Sequence, residues 1–293
     1  MTGLANDREE QFQSLRPLLL SLAYRMLGTR ADAEDVVQDA YLRWQSAAVE
    51  EVRSPRSFLT TVVARLALDA LKVAYRQRET YVGPWLPEPV VQPAGTGPLE
   101  MAESLSIAFL HLLESLSPAE RVAFLLREVF DASYQEVAVA LETSEANARQ
   151  IVARARKHIQ ERRQRFTVER DRQSEVLHEF LTACATGDPA QLTALLSEDV
   201  VLYSDGGGKA SAALNPIVGS DRVVRFLIGI ARKIPALTVE IADVNGGVGA
   251  VLLNAGRPYS VIALDVTATS LIANLYFVTN PDKLPQEASR ISE

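Results

Sequence analysis

The sequence is poor in cysteine and histidine, which limits the chemistry open to it. Cys184 is the single cysteine among 293 residues, so an intramolecular disulfide is excluded and the chain fits a reducing cytoplasm. The three histidines, His111, His158 and His178, lie far apart and are not flanked at ligand spacing. We therefore expect no metal site and no cofactor.

Long apolar runs are also missing. No stretch approaches 18 apolar residues, so no segment is predicted to cross a membrane. Residues 1–10 are polar and acidic and do not resemble a signal peptide. The hydrophobic content of 47% and the charged content of 23% are typical of soluble globular proteins, and the length suffices for two or three small domains. We expect a cytoplasmic protein.

Positive charge is not in overall excess, because the formal net charge is −7. It is nevertheless concentrated in two segments. Residues 52–78 hold six Arg or Lys against one Asp, and residues 145–165 hold seven against two Glu, so each segment carries +5. Residues 173–293 hold eight basic against thirteen acidic residues, a balance of −5. The pattern predicts two basic surfaces followed by an acidic C-terminal domain.

Helix signals dominate the first 78 residues. Helices are predicted from about 8 to 27, from about 31 to 44, and from the cap Ser54-Pro55 to about 78. Residues 81–98 then hold five prolines and three glycines, which predicts a linker that is neither helix nor central strand.

Helices resume at about 100–116, and two capping boxes follow, Ser117 to Glu120 and Ser133 to Glu136. Beyond about 172 the pattern changes to a helix at about 174–185, a helix at about 220–233 and several β-branched runs bounded by Gly, Pro or Asn. Those runs are 200–203, 237–244, 250–253, 259–266 and 271–278. Helices followed by a meander of strands indicate an α+β domain.

The segment from Ser133 to Ile159 reads as a short helix, a tight turn and a longer basic helix. An apolar stripe of the second helix is predicted to be buried, and Ser144 is predicted to cap it. The side chains predicted to meet base edges or phosphates are Ser144, Asn147, Arg149, Gln150, Arg154, Arg156 and Lys157. A solvated basic helix that packs on a neighbour is the alternative interpretation.

Two earlier helices carry polar stripes. The stripe on the third helix is mostly basic and includes a tyrosine on which an unpaired base could stack; it consists of Arg65, Asp69, Lys72, Tyr75 and Arg76. The stripe on the second helix is acidic with one leucine and fits a basic protein partner; it consists of Asp35, Gln38, Asp39 and Leu42. Either stripe could instead be an ordinary solvated face.

Taken in order, these segments resemble extracytoplasmic-function sigma factors of bacterial RNA polymerase. The run from Ala33 to Trp44 resembles region 2.2, which implies docking on the β′ coiled coil of core polymerase. The run that begins Ser54-Pro55-Arg56-Ser57 resembles regions 2.3–2.4, which implies that its helix and the loop at about 47–54 open and read the −10 element. The run from Leu116 to Lys157 is similar to region 4, which implies −35 recognition and contact with the β flap.

The remainder resembles the sigma factor J type, which has a fused SnoaL-like domain. The residues that carry this resemblance are Trp85-Leu86-Pro87-Glu88-Pro89 in the linker, Asp205-Gly206-Gly207-Gly208-Lys209 in the tail and Asn280-Pro281-Asp282-Lys283-Leu284 near the end. In that family the tail is implied to control the sigma domains in cis. The resemblance favours a docking contact between the glycine loop, the Trp85 segment and the sigma domains, whereas the loop alone reads as an ordinary connection between strands.

The expected fold class is therefore multidomain: two all-α domains followed by an α+β SnoaL-like cone of the ketosteroid-isomerase-like and NTF2-like type. The predicted boundaries are 1–80 for sigma region 2, 81–100 for the linker, 101–168 for the helix-turn-helix sigma region 4 and 172–293 for the SnoaL-like regulatory domain. The expected partners are core polymerase, promoter DNA and a small apolar ligand of the tail, with no membrane.

Two competing functions remain at this point. A one-component regulator that senses a ligand would explain residues 117–293, but it leaves the acidic stripe and the 54–78 helix without a role. An enzyme would need an Asp or His base inside the cone. Neither His178 nor Asp205 has a recognisable acid–base partner in the sequence, so we expect no catalysis.

Overall fold

The structure is a computed structural model, and it describes residues 2–47, 54–94, 105–162, 168–234 and 237–286. The chain divides into two compact units. The first, called the helical unit here, comprises Met1–Thr80 and Leu112–Arg163; the second, the sheet unit, comprises Tyr81–His111 and Gln164–Glu293. Within the described ranges, every helix is either too short or too polar to cross a membrane.

The helical unit begins with three helices that pack on one another: α1 (Thr2–Leu27), α2 (Arg30–Ser46) and α3 (Pro55–Arg78). The predicted cap of α3 is confirmed, because the Ser54 side chain accepts from the backbone N–H of Ser57 at 3.3 Å. The apolar stripe of α2 is buried as its periodicity predicts, with Trp44 only 2% exposed. Of the predicted loop at about 47–54, residues 48–53 lie outside the described residues.

The remaining helices of this unit form the predicted helix-turn-helix. Both capping boxes are present, at the starts of α5 (Pro118–Phe124) and α6 (Tyr134–Ala140). A π-helical turn (Leu125–Val129) extends α5, and α6 leads through a tight turn to α7 (Glu145–Arg162). Glu142 adopts a positive φ of 52° in that turn. Of the helix predicted at about 100–116, the structure has α4 (Ile107–Leu113). Residues 95–104 lie outside the described residues, and the prediction is wrong for residues 105–106 and 114–116, which form turns and bends.

Residues of both predicted helical domains meet inside the helical unit. The side chain of Ser57 on α3 donates to the Glu136 carboxylate on α6 at 2.5 Å, and Arg65 on α3 donates to the carbonyl oxygen of Val139 at 2.6 Å. The helix with the basic stripe therefore lies directly against the first helix of the helix-turn-helix.

In the described part of the sheet unit, seven strands form one sheet: β1 (Val91–Pro93), β2 (Leu196–Asp205), β3 (Ile217–Val218), β4 (Leu237–Val244), β5 (Gly247–Asn254), β6 (Arg257–Val266) and β7 (Ile272–Val278). Their order in the sheet is β1-β4-β5-β6-β7-β2-β3. Strand β2 pairs with β7 in parallel, and all other neighbours are antiparallel. The helices that accompany the sheet are α8 (Arg170–Thr186), α9 (Pro189–Leu195) and α10 (Ser220–Lys233).

All five strands that the sequence predicted in the tail are confirmed, whereas β1 and β3 are additional. Strand β1 lies within the proline-rich linker and pairs with β4 at the edge of the sheet. An edge position tolerates Pro93 because one side of the strand needs no ladder hydrogen bond. The predicted linker is thus part of the tail's sheet.

The two faces of this sheet are covered by different parts of the chain. Apolar side chains of α8, α9 and α10, such as Phe180 and Leu227, pack on one face together with Val200. The opposite face is covered by Leu86 from the linker and Ile107 from α4. Burial of both faces explains why β5, with the pattern Val-Gly-Ala-Val-Leu-Leu, shows no polar alternation.

Candidate functional site

The recognition helix α7 is oriented as its sequence pattern predicts. Its apolar stripe is buried, with Ala148, Val152 and Ala155 each fully covered. The opposite face is exposed and presents Asn147, Arg149, Gln150, Arg154 and Lys157. A helix that is held by one face and presents amide and guanidinium groups on the other is suited to major-groove contact.

The start of α7 is capped by a hydroxyl. The backbone N–H of Asn147 donates to the Ser144 hydroxyl at 3.2 Å, and the Asn147 amide donates to the Thr143 hydroxyl at 2.8 Å. This cap leaves the positive end of the helix dipole at an exposed turn, where a phosphate oxygen would be stabilised.

The predicted cations of α7 are paired with carboxylates of their own unit. Arg149 pairs with Glu145, Lys157 lies 3.8 Å from Glu161, and the remaining two pairs are Arg154 with Glu120 at 3.6 Å and Arg156 with Glu128 at 2.6 Å. The hydrogen bond that the Arg156 guanidinium donates to Glu128 is the main reason that the pKa of Arg156 is raised. These pairs are solvent-exposed on at least one side, so phosphates can compete for the same cations.

The residues of the basic stripe on α3 differ in their surroundings. Lys72 and Arg76 are exposed, and Lys72 pairs with Asp69 at 2.9 Å. By contrast, Arg65 contacts Val139 and Glu142 of the helix-turn-helix. The five predicted residues therefore do not form one open surface in this structure.

Tyr75, which the sequence suggested as a stacking platform, is engaged inside the helical unit. Its hydroxyl lies 2.5 Å from the carbonyl oxygen of Leu116 and 3.0 Å from that of Glu114. Burial, followed by the nearby Glu114 carboxylate, raises the pKa of the Tyr75 hydroxyl. The hydroxyl end of the ring is therefore held by the segment that leads to α5.

Glu114 was not identified from the sequence, yet it joins the two halves of the helical unit. Its carboxylate pairs with Arg78 at the end of α3 and with Arg121 on α5. The Arg121 side chain is fully buried and also donates to the carbonyl oxygen of Arg25 at 2.9 and 3.1 Å. A single glutamate before a serine-proline cap gives no sequence signal for this role, because its partners are distant in the chain.

The acidic stripe of α2 is exposed along its length. Asp35, Gln38 and Asp39 face solvent, and the Leu42 side chain that ends the stripe is 54% exposed. An exposed leucine beside carboxylates supplies an apolar anchor with a charged surround, which is the composition of a protein-docking surface.

In the sheet unit, Asp205 links the glycine loop to the linker. Its carboxylate, which is 0% exposed, accepts from the Tyr81 hydroxyl at 2.6 Å and from the backbone N–H of Leu86 at 2.9 Å. Lys283 donates to the same carboxylate at 2.7 Å and to the carbonyl oxygen of Leu86 at 2.6 Å. The linker is therefore held by hydrogen bonds through both its backbone and its side chains.

The other residues predicted in the linker and in the tail lie around the buried Asp205–Lys283 pair. The Lys283 ammonium lies 4.1 Å from the centre of the Trp85 ring, Pro87 is buried, and the Asn280 amide donates to the Tyr81 hydroxyl at 2.9 Å. Pro281 opens the short 3₁₀ turn Pro281–Lys283. Lys209 and Asp282 form an exposed pair at the periphery. The structure thus brings the three segments named by the resemblance together within the sheet unit.

The glycines of the loop are required by close approach as well as by conformation. Gly207 has a φ of +58°, and a Cβ there would lie 2.3 Å from the Asn280 amide nitrogen. Gly206 would clash with the carbonyl oxygen of Ala210 at 2.5 Å, and Gly208, with a φ of +71°, lies against Val82 of the linker. Any side chain at Gly207 would push the loop away from Asn280.

Tyr81 and Asn245 are contact residues that the sequence did not indicate. Asn245 exchanges two hydrogen bonds with the backbone of Val90, at 2.8 and 2.9 Å, and so fixes the linker at the residue before β1. Neither residue has a local sequence signal, because their hydrogen-bond partners are more than 120 positions away in the chain.

A half-buried carboxyl group lies on the sheet face that the linker and α4 cover. Asp265 accepts from Tyr276 at 3.0 Å and from the Asn274 amide at 3.1 Å, and Tyr276 stacks on Tyr203. Burial raises the pKa of Asp265 above the ordinary value, while these two donors act in the opposite direction. Asp265 was not among the candidate acids that the sequence suggested.

Comparison with known families gives a match for each of the three predicted parts. Sigma-70 region 2 matches residues 11–77, a sigma-70 region 4 model matches residues 106–159, and a SnoaL-like domain matches residues 177–269.

Comparison with individual proteins covers nearly the whole chain. The chain is 42% identical over 289 residues to a protein of Mycobacterium tuberculosis (strain ATCC 25618 / H37Rv) named ECF RNA polymerase sigma factor SigJ, covering 93% of this chain and 92% of that protein. It is 33% identical over 277 residues to a probable ECF RNA polymerase sigma factor SigI of Mycobacterium tuberculosis (strain CDC 1551 / Oshkosh), covering 92% of each. The crystal structure of SigJ from Mycobacterium tuberculosis superposes with a TM-score of 0.77 at 40% identity, covering 94% of this chain and 97% of that one.

Proposed function

Because this chain belongs to the extracytoplasmic-function family of RNA polymerase sigma factors, we propose that it joins core RNA polymerase and directs transcription initiation from specific promoters. The observation that carries the proposal is that one helical unit exposes two separate surfaces, the acidic stripe of α2 and the polar face of α7. A regulator that binds DNA alone would need only the second. The chain itself is proposed to perform no catalysis.

The proposed −35 contact is made by α7 in the major groove. Its exposed amides and guanidiniums, Asn147, Arg149, Gln150 and Arg154, would meet base edges or phosphates near the start and middle of the helix. Arg156 and Lys157 would neutralise phosphates, and the Ser144-capped helix start would approach another phosphate.

The proposed −10 contact is made by α3, with Lys72 and Arg76 on the DNA backbone and Tyr75 stacked on an unpaired base. In the structure, Tyr75 and Arg65 are held against the region 4 helices. The two promoter elements are centred about 25 base pairs apart, which is about 85 Å of B-DNA. Since α3 and α6 touch here, the helical unit must open before both elements can be bound at once.

The proposed partner of the α2 stripe is the β′ coiled coil of core polymerase, with Asp35 and Asp39 steering a basic surface and Leu42 inserting as the anchor. The β flap is the proposed partner of region 4. Binding of two well-separated polymerase surfaces by one flexible chain would supply the free energy that opens the helical unit.

The tail is proposed to act in cis through the Asp205–Lys283 contact with the linker. This contact restrains residues 81–91 along the sheet unit, and the same residues connect region 2 to region 4. Holding the linker restricts how far apart the two sigma regions can move. The sign of this control depends on whether polymerase needs the linker held or released.

A small apolar ligand of the tail stays a prediction. The face of the sheet beneath α8 and α10 is packed with apolar side chains such as Phe180, Leu227 and Phe277. A ligand there would have to displace some of them. An increase in the melting temperature of the purified chain on addition of apolar compounds would support it.

The test is transcription in vitro with purified core polymerase and a pool of genomic promoter fragments. The full chain is compared with a chain that ends near Arg172. Specific transcripts from either would support a sigma factor, and the ratio between the two gives the sign of control by the tail. Tight DNA binding with neither transcripts nor core binding would favour the one-component regulator instead.

A further inference from the structure

Tyr134, the first residue of α6, lies at the centre of a cluster of arginines. The guanidinium of Arg149 on α7 is 4.2 Å from the centre of the Tyr134 ring, and that of Arg127 is 5.0 Å from it. One aromatic side chain therefore contacts two cations, one from the π-helical turn after α5 and one from α7.

The Arg149 side chain is held in place by contacts on two sides, unlike its exposed neighbour Gln150 on α7. Arg149 is held by the ring of Tyr134 on one helix and by the carboxylate of Glu145, one turn earlier on α7. Its side chain is still 57% exposed, so it remains open to an incoming ligand. Gln150, its neighbour in the chain, is exposed, and the described contacts give it no comparable support.

A held arginine differs from a free one in what it can recognise. When an unrestrained arginine binds a base, its side chain loses rotamer freedom, and this entropy loss opposes binding. An arginine that is already held in the binding orientation loses less entropy when it binds. Two parallel donors at a fixed angle match the O6 and N7 acceptors of guanine in the major groove. A flexible cation is better suited to phosphates, which tolerate many approach directions.

We propose that Tyr134 is a positioning residue for promoter recognition, and that its ring holds Arg149 in the orientation that reads a guanine of the −35 element. This inference rests on the proposed function, because it assumes that α7 enters the major groove. Arg127 supports the same ring from the preceding segment, where it also donates to the carbonyl oxygen of Ala132 at 2.9 Å. Tyr134 itself is not required to touch DNA.

The experiment is a selection of −35 sequences by holoenzyme assembled from core polymerase and the full chain. DNA with a randomised −35 element is used with wild type and with Arg149→Ala, Tyr134→Phe and Tyr134→Leu. Arg149→Ala should remove the preference for guanine at one position. Tyr134→Phe, which keeps a π face for the guanidinium, should retain that preference, and Tyr134→Leu, which fills similar volume without a π face, should weaken it about two- to fivefold.

A structural role alone would give a different pattern. If Tyr134→Leu lowered binding equally for all sequences, or if the Phe and Leu variants had the same guanine preference, the inference would be wrong. Melting temperatures show whether each variant is folded, and Tyr134→Met replaces the leucine variant if that one does not fold. If Arg149→Ala lost the guanine preference and neither Tyr134 variant changed it, this inference would be wrong but the proposed function would stand. Absence of any sequence preference in wild-type holoenzyme would overturn the proposed function and this inference with it.

Discussion

The Tyr75 hydroxyl donates to the backbone carbonyl of Leu116, 41 positions later in the chain, at 2.5 Å. Tyr75 lies on the helix that is proposed to read the −10 element, and Leu116 directly precedes Ser117, the cap of α5. One hydrogen bond therefore joins a residue that is proposed to stack on a base to the segment that leads into the region 4 helices. This contact engages a residue of the surface that is proposed to bind the −10 element.

Tyr75→Phe should weaken this contact. The variant keeps the ring but removes the hydroxyl that bonds the carbonyl oxygens of Glu114 and Leu116, so the free energy of unfolding should fall by about 1 kcal/mol. Urea denaturation of the full chain measures this. Because the ring can still stack on a base, open-complex formation with polymerase should be retained in Tyr75→Phe and reduced in Tyr75→Ala. Equal loss in both variants would contradict the stacking role.

Glu114→Gln should destabilise the helical unit more strongly than Tyr75→Phe does. Glu114 is the carboxylate partner of Arg121, whose side chain has no solvent exposure, and of Arg78. Removing one partner of a buried pair leaves an uncompensated charge and should cost about 3 kcal/mol, as measured by chemical denaturation.

The matched control for Glu114 is Glu142→Gln. Glu142 lies 3.7 Å from Arg65 and its side chain is 76% exposed, so the variant should cost less than about 1 kcal/mol. Similar costs for the two variants would mean that Glu114 does not join the halves of the unit as described.

Lys283→Met should release the linker from the tail. The substitution leaves the buried Asp205 carboxylate without its cation, which should cost the sheet unit about 3 kcal/mol and speed amide hydrogen exchange in residues 81–91. The double variant Asp205→Asn/Lys283→Met removes the uncompensated charge and should recover part of the stability. Lys209→Met, at the exposed pair with Asp282, is the control and should change neither quantity measurably. Unchanged exchange in Lys283→Met would show that the pair does not hold the linker.

Asp265 should make the stability of the sheet unit depend on pH. Burial raises the pKa of Asp265 in the folded state above its unfolded value, so its contribution is fully present below the unfolded pKa and is lost as pH rises through the folded pKa. Asp265→Asn keeps an oxygen that can accept from Tyr276 and has no charge to bury. The variant should therefore be more stable than wild type at neutral pH, with a difference that shrinks toward about pH 4, in denaturation series across that range. A difference that did not vary with pH would contradict the assignment.

Arg156→Ala should weaken promoter binding without changing its specificity. A phosphate contact carries no sequence information, so holoenzyme affinity should fall similarly at every promoter and the salt dependence should decrease by roughly one unit of slope. Glu128→Gln is the control, because it breaks the 2.6 Å pair with Arg156 but leaves the cation in place, and it should not reduce the slope. A loss at some promoters and not at others would instead assign Arg156 to a base.

Local patterns in the sequence predicted the elements and the faces of the proposed binding helices. Capping boxes at Ser117 and Ser133 depend on residues three positions apart, and both are present. The exposure of Asp35 and Leu42 follows from helical period alone, once the buried stripe with Trp44 is recognised. The order of helices and strands, and hence the fold class, could be predicted for the same reason.

Contacts between distant segments could not be predicted in this way. The residues that resemble a fused-tail sigma factor indicated that the linker and the glycine loop matter, but the roles of Tyr81 and Asn245 came only from the structure. Strand β1 was missed because three residues among prolines have no strand pattern, and its pairing partner β4 lies more than 140 positions away.

By itself, then, the sequence determined which helices carry acidic, basic and apolar faces, because those faces depend on spacings of three or four residues. Only the tertiary structure decided which of those faces are open. Tyr75 and Arg65 belong to the same stripe as the exposed Lys72 and Arg76, yet they make hydrogen bonds to residues 114–116 and 139, because α3 packs against those segments. The packing of α3 in this position depends on buried ion pairs such as Glu114–Arg121. Such pairs stabilise the fold only after distant parts of the chain have come together.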